Sequence, residues 1–128
     1  MSLGSTLVAF DATPLQRERS GIGIYTENLI RSLVDTRECE LILLSNRVLA
    51  LENGLETVRR HDGDHFPVRA AWMQAILPQV LARVRPSLCH FPNYLAPLRA
   101  PCPRVVTLHD MSLLRYPEFF SSRKRYLA

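Results

Sequence analysis

Two short segments carry the residue types that chemistry needs. Ser20-Gly21-Ile22-Gly23 places glycines where a loop enters a helix. Glycine lets a backbone approach a ligand closely, and a helix N-terminus presents free N–H groups to an anion. The spacing is not GxGxxG, since position 26 is threonine, and the same glycines also suit a tight loop-to-helix turn with no ligand. His109-Asp110 directly follows an apolar run. An imidazole there can donate to a substrate hydroxyl or stabilise developing charge, with Asp110 orienting it or capping the next loop. The alternative is a structural histidine bonded to backbone.

Two further groups have bland readings. His61-Asp62-Gly63-Asp64-His65 holds the ligand types of a zinc or manganese site. Neighbours in one polar stretch form a solvated loop without fixed geometry, so no metal is expected. His90, between Cys89 and Phe91, reads as a core or edge residue. Arg115, Arg123, Lys124 and Arg125 form a basic tail, either a solvated helix face or a contact to anionic lipid or phosphate.

Alternating strands and helices must position these residues. Thr6 to Phe10 is an apolar run closed by Asp11-Ala12-Thr13-Pro14. A helix opens at Ser20, with a stripe of Ile22, Tyr25, Leu29 and Leu33 widened by Ile30 and Val34. Leu41 to Leu44 is a second strand, and Glu56 to Arg59 a short third. Ala70 to Leu77 reads as helix, Pro78 starts another carrying Val80, Leu81 and Val84, and Pro86 ends it. Ser87 to Phe91 and Arg104 to Leu108 are strands four and five, and Ser121 or Ser122 caps a last helix.

Strands apolar on both faces, alternating with helices, predict a Rossmann-like α/β fold: a doubly wound parallel sheet of order 3-2-1-4-5, covered on both sides. Ligands bind such sheets beyond the carboxyl ends of the strands, where the order reverses. That rule selects Asp11 through Gly23, then Pro92, Asn93 and Tyr94, then His109 and Asp110.

Length and composition bound the function classes. The 128 residues suffice for one domain. With 47% hydrophobic and 22% charged residues the chain is not disordered as a whole. No apolar run reaches about 18 residues, and the N-terminus lacks the pattern of a signal peptide. Cys39, Cys89 and Cys102 form neither a CxxC pair nor a disulfide framework and read as reduced thiols in the cytoplasm. Residues 1–64 carry net charge −3 and residues 65–128 net +7. That asymmetry suits a phosphorylated ligand or an anionic surface. Nucleic acid is not expected, because interleaved aromatics and a known module are both missing.

Phe10-Asp11-Ala12-Thr13-Pro14-Leu15 with Ser20-Gly21-Ile22-Gly23-Ile24-Tyr25-Thr26-Glu27-Asn28-Leu29 resembles the start of a family 4 (group 1) glycosyltransferase. So does His90-Phe91-Pro92-Asn93-Tyr94-Leu95-Ala96-Pro97-Leu98 with Val105-Val106-Thr107-Leu108-His109-Asp110-Met111-Ser112 and Arg115-Tyr116-Pro117-Glu118. The resemblance implies a retaining, metal-independent enzyme of the GT-B fold, in which two Rossmann-like domains face a cleft. Residues 1–128 would be the incomplete N-terminal, mainly acceptor-binding domain, inactive without the donor-binding C-terminal domain. The Gly21, Ile22, Gly23 loop would line the cleft, and His109 would match the active-site histidine that contacts the transferred sugar. Asp11, Asn93, Tyr94 and Asp110 are further substrate-binding candidates. The implied co-substrate is a nucleotide-sugar, with no cofactor. The acceptor is a carbohydrate or a lipid-linked molecule, and the Pro92–Pro97 stretch is most like mannosyltransferase-type members. A cytoplasmic location, peripheral to the inner face of the membrane, is expected. Strand five would sit at a sheet edge with Val105, Val106 and Leu108 bordering unpaired backbone, so a homodimer or aggregate through that edge is expected as well. The alternative is a standalone Rossmann-like module binding an anionic ligand or a protein partner. A hydrolase lacks an identifiable nucleophile motif.

Overall fold

The structure, a computed structural model, describes residues 5–119. Five parallel strands form one sheet in the order β3-β2-β1-β4-β5. They are β1 (Thr6–Asp11), β2 (Cys39–Leu44), β3 (Arg59–His61), β4 (Leu88–Phe91) and β5 (Arg104–Val106). The helices are α1 (Gly21–Thr36), α2 (Arg69–Ala75), α3 (Leu77–Val84) and α4 (Ser112–Arg115). This is the expected Rossmann-like α/β arrangement, with the order reversing between β1 and β4.

Side chains alternate across a strand, so the two faces of β1 and β2 separate into two cores. Ala9, Ile42 and Leu44 join Trp72, Met73, Leu77 and Leu81 under α2 and α3. Phe10, Leu41 and Leu43 join Leu15, Ile30 and Leu55 on the opposite face, under α1. Register fixes this division: Ala9 pairs with Ile42 and Cys89, and Phe10 with Leu43 and His90. A one-residue slip would turn every apolar side chain to the wrong layer.

Four sequence expectations shift. The buried line of α1 is Gly23, Thr26 and Ile30, leaving Tyr25 and Val34 exposed at its rim. The third strand is Arg59–His61, because Leu55–Thr57 forms a 3₁₀ turn with Leu55 buried and the Glu56 carboxylate accepting from the Gly54 N–H. Pro78 does sit in the first turn of α3, but α2 ends at Ala75, before the expected Leu77. Proline has no N–H for the preceding turn, so the chain re-nucleates at Ile76, whose carbonyl receives Gln79 N–H and Val80 N–H. Finally, the sheet is not covered on both sides throughout: β5 stops at Val106 and all three of its residues are exposed. The final helix expected near Ser121 or Ser122 lies outside the described residues. Among the described residues, no helix is long and apolar enough to cross a membrane.

Candidate functional site

The glycine turn comes first in the chain. Ser20 adopts extended backbone and its Oγ accepts from Gly23 N–H at 3.4 Å, a capping bond that lets α1 start at Gly21. The two glycines differ in purpose. A Cβ at Gly23 would stand 3.1 Å from the Pro14 carbonyl oxygen, whereas one at Gly21 would meet nothing within 4 Å. Gly23 therefore serves the close packing of loop on helix. Gly21 and Ile22 keep N–H groups with no acceptor among the described residues, as the first turn of a helix must.

His109 stands at the carboxyl end of the sheet beyond β5. Its Nε2 lies 2.6 Å from the carbonyl oxygen of Pro92, in the loop after β4. A carbonyl only accepts, so Nε2 carries the proton and Nδ1 is the ring atom left for another partner. Two tyrosines flank the ring. Tyr25 of α1 meets it edge-on with centroids 4.9 Å apart, and Tyr94 approaches at 5.6 Å. Tyr94 holds φ at 61°, a left-handed backbone that costs a non-glycine residue about 1–3 kcal/mol. Its hydroxyl accepts from Asp110 N–H at 3.0 Å. Asp110 does not orient the imidazole; its carboxylate accepts from the Ser112 N–H at 2.9 Å and from the Ser112 hydroxyl. Those two bonds hold its carboxyl below the usual carboxylate range.

A cleft of about 410 Å³ opens beside this cluster, over the carboxyl ends of β1 and β2. Its walls come from the loops after β1 (Gln16, Arg17), β2 (Asn46, Arg47), β3 (Pro67) and β4 (Asn93), with Arg69 from the start of α2. An adjoining hollow of about 490 Å³ shares Gln16, Arg17, Arg47 and Pro67 and adds Val48 and His65. Asp11 lies beneath, fully buried. One carboxylate oxygen accepts from Thr13 N–H at 3.1 Å and the other from the Arg69 guanidinium at 2.8 Å. Arg69 also donates to Thr13 Oγ1 at 2.8 Å. Asp11 thus acts on the cleft through Arg69. Gln16 Nε2 donates to Ser45 Oγ at 2.6 Å and to Asn46 Oδ1 at 2.7 Å, tying the β1 and β2 loops together.

The expected site residues therefore fall into two neighbouring places. His109, Tyr94 and Asp110 meet over β4 and β5, with Gly21, Ile22 and Gly23 opening the helix that carries Tyr25. Asn93 lines the cleft, and Asp11 is under its floor. The strand-end rule had spanned Gln16 and Arg17 without singling them out, whereas Tyr25 as a contact of His109, and Asn46, Arg47 and Arg69, were missed. Applying the strand-end rule to β2 as well as to β1 would have picked Asn46 and Arg47. Arg69 meets Asp11 across 58 positions and had no local signal.

The His61–His65 stretch is held by structure. Asp64 bonds His61 at 3.1 Å and the Trp72 indole N–H at 3.0 Å, and Asp62 accepts from Leu49 N–H at 3.0 Å. Burial pushes the Asp64 carboxyl up, but those bonds outweigh it and leave it below its ordinary value. Among the described residues, no group of three or more His, Cys, Asp or Glu side chains is arranged to hold a metal ion. His90 stacks on Phe10 with centroids 4.7 Å apart and bonds Thr107 Oγ1 at 2.7 Å, and burial lowers its pKa below the usual value. Cys89 is fully buried; burial first, then the nearby Asp11 carboxylate and Cys102, push its thiol well above the ordinary range.

No protein-family model, curated protein or solved structure matches this chain.

Proposed function

We propose that this chain is the N-terminal, acceptor-binding part of a retaining glycosyltransferase that moves a sugar, of mannose type, from a nucleotide-sugar to an acceptor hydroxyl. The observation that carries this reading is His109 fixed on the Pro92 carbonyl between Tyr25 and Tyr94, beside the α1 N-terminus. A ring so held offers Nδ1 to a sugar hydroxyl at a defined position, with the two tyrosine rings limiting its rotation. In the transfer, the bond from the sugar's anomeric carbon to the donor diphosphate breaks and the acceptor oxygen bonds that carbon on the same face. The acceptor proton leaves with the diphosphate. The protein's part is positioning and charge stabilisation. A second Rossmann-like domain supplies most donor contacts in such enzymes and no metal is required. The reaction would run in the cytoplasm, at the inner face of the membrane if the acceptor is lipid-linked.

The chain itself can be tested by saturation-transfer NMR against simple mannosides and glucosides. Binding that His109→Ala or Tyr94→Ala abolishes, with the circular-dichroism spectrum unchanged, supports the reading. In the enzyme that contains this chain, His109→Ala should cut turnover strongly; near-normal turnover would remove His109 from the site. One observation favours a second reading, a small module that binds an anionic ligand without turnover: the arginines around the cleft.

A further inference from the structure

The cleft over β1 and β2 has a chemistry distinct from that of the His109 cluster. Three guanidiniums reach its walls from separate segments: Arg17 and Arg47 from the loops after β1 and β2, and Arg69 from the start of α2. Glu18 is the one carboxylate among its lining residues. Arg69 is immobilised by Asp11 and Thr13 and keeps the remaining N–H groups of its five donors. Arg47 gives one N–H to the Pro67 carbonyl at 3.0 Å. The Arg17 side chain has no hydrogen-bond or ion-pair partner among the described residues. Because Asp11 balances the charge of Arg69, the net positive charge of the lining comes from Arg17 and Arg47, neither in an ion pair among the described residues, against the single carboxylate of Glu18. The Gln16 amide has both N–H contacts on Ser45 and Asn46, which leaves its carbonyl oxygen to accept.

We infer that this cleft binds the phosphate group of a phosphorylated polyol, with Arg17 and Arg47 capturing the phosphate, Arg69 fixing the floor, and the carboxamides of Gln16 and Asn93 meeting hydroxyls. A phosphate monoester has three peripheral oxygens and matches donors converging from three separate segments, where a carboxylate offers two. The volume, about 410 Å³, lies within the range of small-molecule sites. The inference rests on the cleft alone, so it stands whether or not the chain belongs to a transferase.

The test is calorimetric titration of the full chain with inorganic phosphate and with glycerol 1-phosphate, plus flotation with phosphatidylcholine vesicles with and without phosphatidylglycerol. Glycerol 1-phosphate should bind saturably and more tightly than inorganic phosphate, since only it engages the carboxamides. Arg17→Gln and Arg47→Gln, both on exposed side chains, should each weaken binding about tenfold. Arg37→Asn should leave binding unchanged: Arg37 follows α1 at the opposite end of the sheet, and asparagine tolerates its left-handed backbone. Flotation with the anionic vesicles that Arg17→Gln and Arg47→Gln abolish identifies a lipid headgroup as the source of the phosphate. Saturable glycerol phosphate binding without flotation identifies a free metabolite. Absence of binding to every probe overturns the inference, as does an equal loss in Arg37→Asn, which would make the effect one of net charge. Loss of sugar binding in His109→Ala with phosphate binding intact would separate the two sites.

Discussion

Replacing Arg69 by methionine is expected to destabilise the fold by about 2–4 kcal/mol, out of proportion to a side chain that is 29% exposed. The cause lies beneath it. Asp11 has no solvent exposure, and its second carboxylate oxygen depends on Arg69 at 2.8 Å. Breaking a buried pair by removing one partner costs about 3–5 kcal/mol, because the remaining charge has neither water nor counter-charge. Partial exposure of Arg69 lets water reach the vacated space and trims that figure, while loss of its bond to Thr13 Oγ1 restores about 0.5–1.5 kcal/mol of the cost. For a chain of this size the midpoint of thermal unfolding should fall by about 8–16 °C. Urea unfolding of Arg69→Met, Asp11→Asn and the double variant forms the required cycle. Asparagine removes the buried charge and keeps an acceptor for Thr13 N–H, so the double variant should recover about 2 kcal/mol relative to Arg69→Met. If Arg69→Met stays within about 0.5 kcal/mol of the parent chain, the ion pair does not anchor the cleft floor.

Other consequences can be measured on the same protein. Gly23→Ala should cost about 1–2 kcal/mol through its 3.1 Å approach to the Pro14 carbonyl, while Gly21→Ala, in open space at the start of α1, should be neutral or stabilising by thermal melting. Burial keeps the His90 pKa below its ordinary 6.5, so the unfolded chain takes up a proton that the folded chain resists. Stability should therefore fall as pH drops below about 6.5, and His90→Gln should flatten that slope between urea titrations at about pH 7.5 and about pH 5.5. Light scattering at rising concentration should show self-association through β5, where Val105, Val106 and Leu108 are exposed, and Val106→Lys should reduce it; a concentration-independent monomer would count against the edge. Cys89 should react with a thiol reagent only on unfolding, since a fully buried, protonated thiol is a poor nucleophile.

The order of the strands was legible because the runs around Leu7, Leu41, Cys89 and Val105 are short, apolar and separated by helical or proline-rich spacers, and because parallel crossovers leave few topologies. The carboxyl-end rule then brought Tyr94, Asp110 and His109 to one place without any motif. What escaped was non-local. Glu56 to Arg59 looks like a strand, yet Leu55–Thr57 forms a turn that buries Leu55 in the core with Phe10 and Leu43, a placement set by tertiary packing. Tyr25 sits on the apolar stripe by spacing, but the buried line of α1 runs through Gly23, Thr26 and Ile30, leaving the ring exposed at its rim and against His109. Arg69 and Asp11 form a unit that no window of sequence contains. The cleft was half visible: Gln16, Arg17 and Asn93 follow from strand ends, whereas Arg47 and Arg69 come from the loop after β2 and the start of α2.

The single tryptophan of the chain is fully buried in α2 and donates its indole N–H to Asp64 in the loop after β3. Two residues further on, Phe66 N–H bonds the Asn46 carbonyl, and Asn46 forms part of the cleft wall. The molecule thus contains a built-in optical probe wired to its own binding face. Emission should be blue in the folded chain and sensitive to the carboxylate at its indole nitrogen. A ligand that shifts the Asn46 loop will be read as a change in tryptophan intensity without any label. Opening of the 61–66 loop ahead of global unfolding would then register as a separate step at the red edge of the spectrum.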